Sequence, residues 1–442
     1  MYQGNSKSLF CRYAIPQMIG LLFNSVYIIV DGIFIGNRLG TNAMAAAAVS
    51  VPLVEFLIAL SIAISSGAGV LISGYIGRND CRNAAQVFNT VVRSTLIAGL
   101  LVAVLGNLFV RPLATALGAT PQIQAEAIEY MRYIISLSPF LMFSFLFSGL
   151  ARNDGRPRLA MVALVTGSLS NIALDYLFMY PLHMGIGGAA LATALGPIFS
   201  VYTLLPHFIL RKGTLGFAKT TVRPSILRRI CVLGFPSFVM ELTIGIITFV
   251  YNTAIVRYGY GETGLAAYLV IGYLMLMILT VFLGMAEGLQ PVFSYFAGIE
   301  DAGRSVRLRR LAAVIILATG IACYLLVVLF SRQFFFIFNP KDTVLIDFAR
   351  EKSVYYFWGF FLAGYNILMI SFWQSTGKTV RALAVSLSRS VVFPPLLTTI
   401  LPPLLGREAL WFCHSAAEGL TAGLVLCLLL TVRHKDASGQ QP

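Results

Sequence analysis

The sequence predicts an all-α integral membrane protein with twelve transmembrane helices, arranged as two six-helix repeats. Three observations predict this fold class. The 442 residues are 58% hydrophobic and 11% charged, with a mean hydropathy of +0.82, whereas a soluble domain is roughly 25% charged. Long apolar runs bounded by glycine, proline and charge clusters recur along the chain. The second half of the chain repeats motifs of the first.

Each apolar run is long enough to cross a bilayer as a helix, which takes about 20 residues. We expect helices at 12–37, 46–76, 87–111, 127–150, 159–181, 186–210, 226–257, 264–296, 308–330, 346–373, 380–402 and 408–432. The first run lacks a small-residue cleavage site, so we expect it to be retained rather than removed as a signal peptide.

The basic residues predict the orientation in the membrane. They collect in the connections on one side, for example at Arg78, Arg152 and Arg304, in the central connection and near both termini. Because short cytoplasmic loops are enriched in Lys and Arg, we expect a protein of the cell (inner) membrane with both termini in the cytoplasm. These loops also account for the net charge of +14, so we expect no nucleic-acid partner.

An internal repeat predicts the domain organisation. GTNAMAAAAV from Gly40 lines up with GETGLAAYLV from Gly261, and GRPRLA from Gly155 lines up with GKTVRA from Gly377. We therefore predict an N-terminal lobe at 1–210, a basic cytoplasmic linker at 211–225, a C-terminal lobe at 226–432 and a cytoplasmic tail at 433–442. Transporter folds are commonly built from such repeats, with the substrate site near the middle of the membrane.

One carboxylate, Asp31, lies deep in the first apolar run, PQMIGLLFNSVYIIVDGIFIGN. A charge at bilayer depth is costly and by default marks a functional site. Gln17, Asn24 and Asp31 are spaced by seven residues, so they fall on one helical face. This polar line should face other helices or a water-filled cavity.

Three more polar residues are expected at the level of Asp31. Asn171 is one turn before Asp175 in the fifth helix, and Thr193 lies in the sixth. At 1.5 Å per residue, Asp31 and Asp175 lie roughly 22 and 25 Å from the cytoplasmic side, and Thr193 lies roughly 12 Å from the outer side. These four residues are our candidate site for a coupling proton or cation.

The sequence leaves the coupling ion open. Two carboxylates close together in a medium of low dielectric favour the uptake of a proton. The same carboxylates could hold Na⁺ together with Asn171. Beyond this possible Na⁺ site we expect no metal and no cofactor, because the cysteines form no CxxC or Cys/His cluster and no phosphate-binding loop is present.

The C-terminal half lacks the acid pair, since Asn252 and Leu397 stand at the positions that correspond to Asp31 and Asp175. Glu241 and Asn252 lie on a polar stripe of the seventh helix. We regard both, together with Gln290, as possible residues of a substrate or C-lobe site. The roles of three other acids are left open: Glu55, Glu287 and Glu418.

The motifs around these residues resemble the multidrug and toxic compound extrusion (MATE) family. The resemblance covers essentially the whole chain and rests on VDGIFIG at Asp31, NIALD, GAALAT, GLQPVFSY and QSTGK. It implies two lobes in a V shape that rock between inward- and outward-open states. It also implies the export of organic cations in exchange for H⁺ or Na⁺, with the ion bound at Asp31 and Asp175. Small organic cations and membrane lipids are the expected partners of a monomeric protein.

Two other functions compete with ion-coupled export. A flippase for a lipid-linked substrate would share the fold, but one that handles anionic headgroups should place Arg or Lys in its cavity. The deep charges here are mostly acidic. A channel or an embedded enzyme is disfavoured by the duplicated halves and by the lack of a nucleophile–base or metal constellation. We therefore expect an antiporter rather than an enzyme.

Overall fold

The computed structural model describes residues 4–218, 221–338 and 343–437. Ten helices in these ranges are long and apolar enough to span a membrane. Two further pairs of helices are bent by 48° and 47°, and each pair is long and apolar enough to span a membrane when its two helices are taken as one. Counting each pair as one span gives twelve spans. No β-strand occurs within the described ranges. The predicted fold class, with its twelve spans, is therefore confirmed.

We number the spans in chain order. Spans 1 to 3 are Ser6–Leu39, Thr41–Gly77 and Cys81–Leu108, followed by a short helix at Val110–Ala116. Span 4 is the bent pair Gln124–Ser136 and Ser138–Asn153. Spans 5 to 9 are Pro157–Met179, Gly185–Ile209, Pro224–Arg257, Gly261–Gly298 and Ala302–Phe338. Span 10 is the bent pair Thr343–Phe357 and Phe360–Ser375. Span 11 is Thr379–Leu387, a π-helical turn at Ser388–Val392, and Phe393–Leu405. Span 12 is a 3₁₀ segment at Arg407–Phe412 and the helix Cys413–Ala437.

The two halves repeat local backbone geometry. Span 4 and span 10 are both bent, and each is followed by a glycine with positive φ, 76° at Gly155 and 77° at Gly377. Such a φ favours glycine, which carries no Cβ. Asp80 and Asp301 each accept a hydrogen bond from a backbone N–H three residues later, at 3.1 and 2.9 Å. The predicted tail falls partly on residues 438–442, which lie outside the described residues.

The halves meet along spans 2, 7 and 8. We call the face that carries Arg78, Arg156 and Arg304 the basic side and the opposite face the far side. A Cβ on Gly234 would collide with the carbonyl oxygen of Ala63, and a Cβ on Gly298 with that of Gly74. Glycine therefore allows the backbones of the two halves to touch there. This structure is closed between its halves on the basic side.

The apolar core differs between the halves. In the C-terminal half it is a single cluster rich in large aromatic side chains, among them Tyr251, Tyr356 and Trp411. In the N-terminal half it is divided into one cluster toward the far side and another toward the basic side. The candidate site lies between these two clusters.

Candidate functional site

A narrow polar cavity lies within the N-terminal half, between spans 1, 4, 5 and 6. Its polar lining consists of Asn24, Tyr27, Ser144, Ser168, Asn171, Thr193 and Ser200. The space that the centre of a water-sized sphere can occupy is about 30 Å³. One water needs about 10–15 Å³ on this measure. The cavity therefore has room for about two waters or a small ion, and not for a drug-sized molecule.

Asp31 and Asp175 meet beside this cavity. Asp175 is fully buried, and the two carboxyl groups lie within hydrogen-bonding distance of each other. One oxygen of each, Oδ1, is buried and receives no hydrogen bond from the described residues. Because two carboxylates are both acceptors, the contact becomes attractive only with a proton or a cation between them.

Asn171 connects Asp175 to span 6. With its amide oriented to match its neighbours, Nδ2 donates to Asp175 Oδ2 and Oδ1 accepts from the backbone N–H of Thr193, both at 3.1 Å. The Thr193 hydroxyl donates to the carbonyl of Ala189 at 3.1 Å. Pro197 has no N–H, so the Thr193 carbonyl lacks its usual helical partner. The structure thus brings Asp31, Asp175, Asn171 and Thr193 together.

Two tyrosines complete the surroundings and were missed by sequence reasoning. Tyr27, one turn before Asp31, interacts electrostatically with both carboxyls. Tyr130, from span 4, lies beside both carboxyls and the side chain of Thr193. The spacing of Tyr27 from Asp31 was available in the sequence. Nothing in the sequence around Tyr130 points to this site, because only the fold brings span 4 against span 6.

The predicted polar line of span 1 divides between two places. Asn24 lines the N-terminal cavity, whereas Gln17 reaches the C-terminal half and donates to Glu287 Oε2 at 3.2 Å. The Gln17 carbonyl oxygen accepts from Arg152 at 2.7 Å. We predicted a loop at Arg152, but this residue lies in the last turn of span 4. Gln17 therefore links Arg152 to Glu287.

A second polar network joins the halves beside this bridge. Gln290 and Gln374 donate to Ser66 Oγ at 2.5 and 2.9 Å, and Ser237 donates to Ser66 Oγ at 3.0 Å. All four side chains are buried. In this structure Gln290 therefore belongs to the closed interface rather than to an open substrate surface.

The other candidate residues of the C-terminal half lie elsewhere on span 7. Glu241 is half-buried and interacts electrostatically with Glu287 and with Glu55 from span 2. Three acids from two halves therefore face one region between the lobes. Asn252 is exposed, three turns farther toward the far side. Neither residue contacts the cavity that contains Asn171.

Comparison with known proteins decides the family. The MatE family model matches residues 16–177 and again residues 236–399, which is well over half of the chain. The chain belongs to the MATE family of membrane transporters. The two matches fall on the two halves of the repeat, so each half carries the family pattern.

This chain is similar to curated relatives and to solved structures over nearly its full length. The chain is 24% identical to the multidrug export protein MepA of Staphylococcus haemolyticus, covering 96% of this chain and 93% of MepA. The Staphylococcus saprophyticus MepA is also 24% identical, with the same coverage. An outward-facing multidrug resistance MATE transporter superposes with a TM-score of 0.92 at 24% identity, over 100% of this chain and 98% of that one. A transporter from Pyrococcus furiosus, described as having a binding pocket of reverse polarity, gives 0.92 at 23% identity over the same shares.

Proposed function

We propose that this MATE chain exports small organic cations across the inner membrane in exchange for protons, with Asp31 and Asp175 as the coupling site. The observation that carries the proposal is the close approach of two carboxyl groups, one fully buried at Asp175 and one half-buried at Asp31. In a medium of low dielectric such a pair holds one proton between its oxygens. Loss of this proton would leave two adjacent negative charges, which favours rearrangement of the surrounding helices.

Sodium is the alternative coupling ion for the same site. Na⁺ prefers several oxygen ligands, and the available ones are the two carboxyls, Asn171 and Thr193. In this structure the Asn171 carbonyl oxygen already accepts from the Thr193 N–H. A sodium site would therefore require the carboxyls to separate and the Asn171 amide to turn, whereas a proton requires neither movement. For that reason we propose H⁺ rather than Na⁺ as the coupling ion.

The cationic substrate belongs outside the coupling cavity, because about 30 Å³ of free space holds only water or a small ion. The acids that face the region between the halves, Glu55 and Glu241, suit a positively charged ligand. Their negative charge supports export of organic cations rather than flipping of an anionic headgroup. The curated relatives, which are named multidrug export proteins, support the same substrate class.

The test is ethidium efflux driven separately by a pH gradient and by a Na⁺ gradient. Everted vesicles would contain the wild type, Asp31→Asn or the control Asp80→Asn, which makes the same chemical change at a half-buried helix cap on the basic side. We expect a pH gradient to drive uptake by the wild type and the control and not by Asp31→Asn. Transport by wild type under the Na⁺ gradient alone would replace the proton by sodium. Normal transport by Asp31→Asn under either gradient would remove the coupling role from this pair.

A further inference from the structure

The connection between the two halves is built onto the N-terminal half. Asp154 accepts from the backbone N–H of Thr214 at 2.7 Å, and Asn89 accepts from that of Ala218 at 2.8 Å. Asn89 also donates to the carbonyl of Gly216 at 3.2 Å. The ring of Phe217 packs edge-on against Phe88, with the centroids 5.5 Å apart. Residues 214–218 are therefore held in a defined position on the basic side.

This segment brings two arginines together. Arg211 donates through Nη2 to the carbonyl of Phe217 at 2.7 Å, and Arg93 of span 3 donates through Nη2 to the carbonyl of Ala218 at 3.3 Å. Because these carbonyls belong to consecutive residues, the two guanidinium groups are held near each other. Like charges in such proximity favour binding of an anion between them.

The arginines line one cavity, which we call the arginine pocket. Its volume is about 380 Å³, and its lining is Asn89, Val92, Arg93, Arg211, Phe217 and Ala218. None of these described residues is acidic. The volume lies within the usual range for small-ligand sites. The pocket thus combines positive charge, an amide and apolar surface.

The arginine pocket lies where the apolar surface of two spans ends. In span 3, Leu96 and Ile97, just beyond Arg93, are 45% and 56% exposed. At the end of span 6, Ile209 and the capping residue Leu210, just before Arg211, are 58% and 62% exposed. Exposed apolar side chains of this kind contact lipid tails, so the guanidinium groups lie at the level of the lipid headgroups.

We propose that the arginine pocket binds the phosphate of an anionic phospholipid, whose acyl chains lie along the exposed faces of spans 3 and 6. The planar fork of each guanidinium matches phosphate oxygens. Basic pockets on the cytoplasmic side of a membrane protein suit anionic headgroups, since that leaflet carries the anionic lipids. The lipid would fix the linker between the halves to the membrane. This site is separate from the Asp31–Asp175 pair, and its test does not depend on transport.

The test is lipid binding by the purified full chain in detergent, measured by native mass spectrometry with phosphatidylglycerol and phosphatidylcholine of identical acyl chains. The double variant Arg93→Gln/Arg211→Gln is compared with the control Arg78→Gln/Arg228→Gln, which removes two exposed arginines from the same side. We expect wild type and control to prefer phosphatidylglycerol. The pocket variant should bind it roughly thirtyfold more weakly, because it loses the attraction of two arginines for an anionic headgroup.

Two results would overturn the proposal. Equal binding of phosphatidylglycerol by the pocket variant and the control would show that the pocket is not the site. Competition by glycerol phosphate, without acyl chains, at the concentration at which the lipid binds would show a soluble anion site instead. A melting curve in phosphatidylcholine alone checks that the variant folds. If the glutamine variant does not fold, Arg93→Lys/Arg211→Lys takes its place. The lysine variant retains both positive charges but loses the paired N–H donors of the guanidinium groups. We expect its affinity for phosphatidylglycerol to be several-fold weaker than that of the wild type.

Discussion

The two halves share a backbone plan but place their charges differently. The N-terminal half keeps two carboxyls in contact beside a small cavity. The C-terminal half has Asn252 and Leu397 at the corresponding sequence positions, and its buried acid Glu418 is bonded to Arg389 at 2.7 Å. The arginine already balances the charge of this buried carboxylate. The Asp31–Asp175 pair has no basic partner of this kind among the described residues.

The residues around Glu418 also differ from those around the Asp31–Asp175 pair. In the C-terminal half, Asn366 donates to Glu418 Oε2 at 2.8 Å, and the ring of His414 stacks on Tyr356 with centroids 4.8 Å apart. Arg389 lies in the π-helical turn of span 11, a local widening that directs its side chain into the core. The charge of Glu418 is therefore matched within a closely packed part of this half. Under the proposed mechanism, the N-terminal half would carry the coupling ion and the Glu418–Arg389 pair would support the C-terminal half.

The largest effect is expected from Asp175→Asn. The substitution removes the ionisable group that makes the pair respond to pH, so pH-driven ethidium efflux should fall to the level of membranes without the protein. Efflux from everted vesicles measures this, with Asp301→Asn at a half-buried helix cap as the matched control. Substantial pH-driven efflux by Asp175→Asn would mean that the N-terminal pair is not the coupling site.

The next largest effect is on stability, in the other half. Arg389→Met leaves Glu418 buried without its cationic partner, and breaking a buried pair in this way costs about 3–5 kcal/mol. Thermal unfolding of the purified protein should show a strong loss, which the double variant Arg389→Met/Glu418→Gln should largely restore. Arg111→Met, at an exposed position, is the control. A single variant as stable as the wild type would contradict a supporting role for the ion pair.

A smaller effect is expected from Tyr130→Phe. Its hydroxyl lies beside the Thr193 side chain and the two acids, and loss of one polar contact of this kind weakens a site by about threefold to tenfold. The pH that gives half-maximal efflux and the efflux rate should both change. Tyr176→Phe, on an exposed face of span 5, should leave both unchanged. A Tyr130→Phe protein identical to the wild type would exclude the tyrosine from the coupling site.

The smallest effect is expected from Asn252→Asp, which restores an acid at the position that corresponds to Asp31. Asn252 is exposed, and its corresponding partner position is Leu397, so the new carboxylate has no second carboxyl. Coupled efflux should stay within about twofold of the wild type, since exposed substitutions rarely matter. An increase in the number of protons exchanged per ethidium would instead show that position 252 can form a second coupling site.

The sequence was sufficient for the fold and for part of the site. Apolar length, charge asymmetry and the repeat predict twelve spans, and the structure has them. Spacing placed Asn171 one turn from Asp175. It could not place Tyr130, whose approach to Thr193 depends on packing between distant spans. It also placed Gln17 on the same line as Asp31, although the long helix carries Gln17 to the interface with Glu287. The spacing of polar residues predicts which face of a helix they share. It does not predict which neighbouring span each of them contacts along the length of the helix.

The most direct test of the central claim is the proton released when purified protein binds ethidium in a weakly buffered solution at neutral pH. The account predicts that wild type and Glu241→Gln release protons in the same number per ethidium bound, and that Asp31→Asn releases none. Glu241→Gln serves as the comparison because it removes a half-buried acid of the C-terminal half. Release that persists in Asp31→Asn and is lost in Glu241→Gln would place the coupling in the C-terminal half and contradict the account.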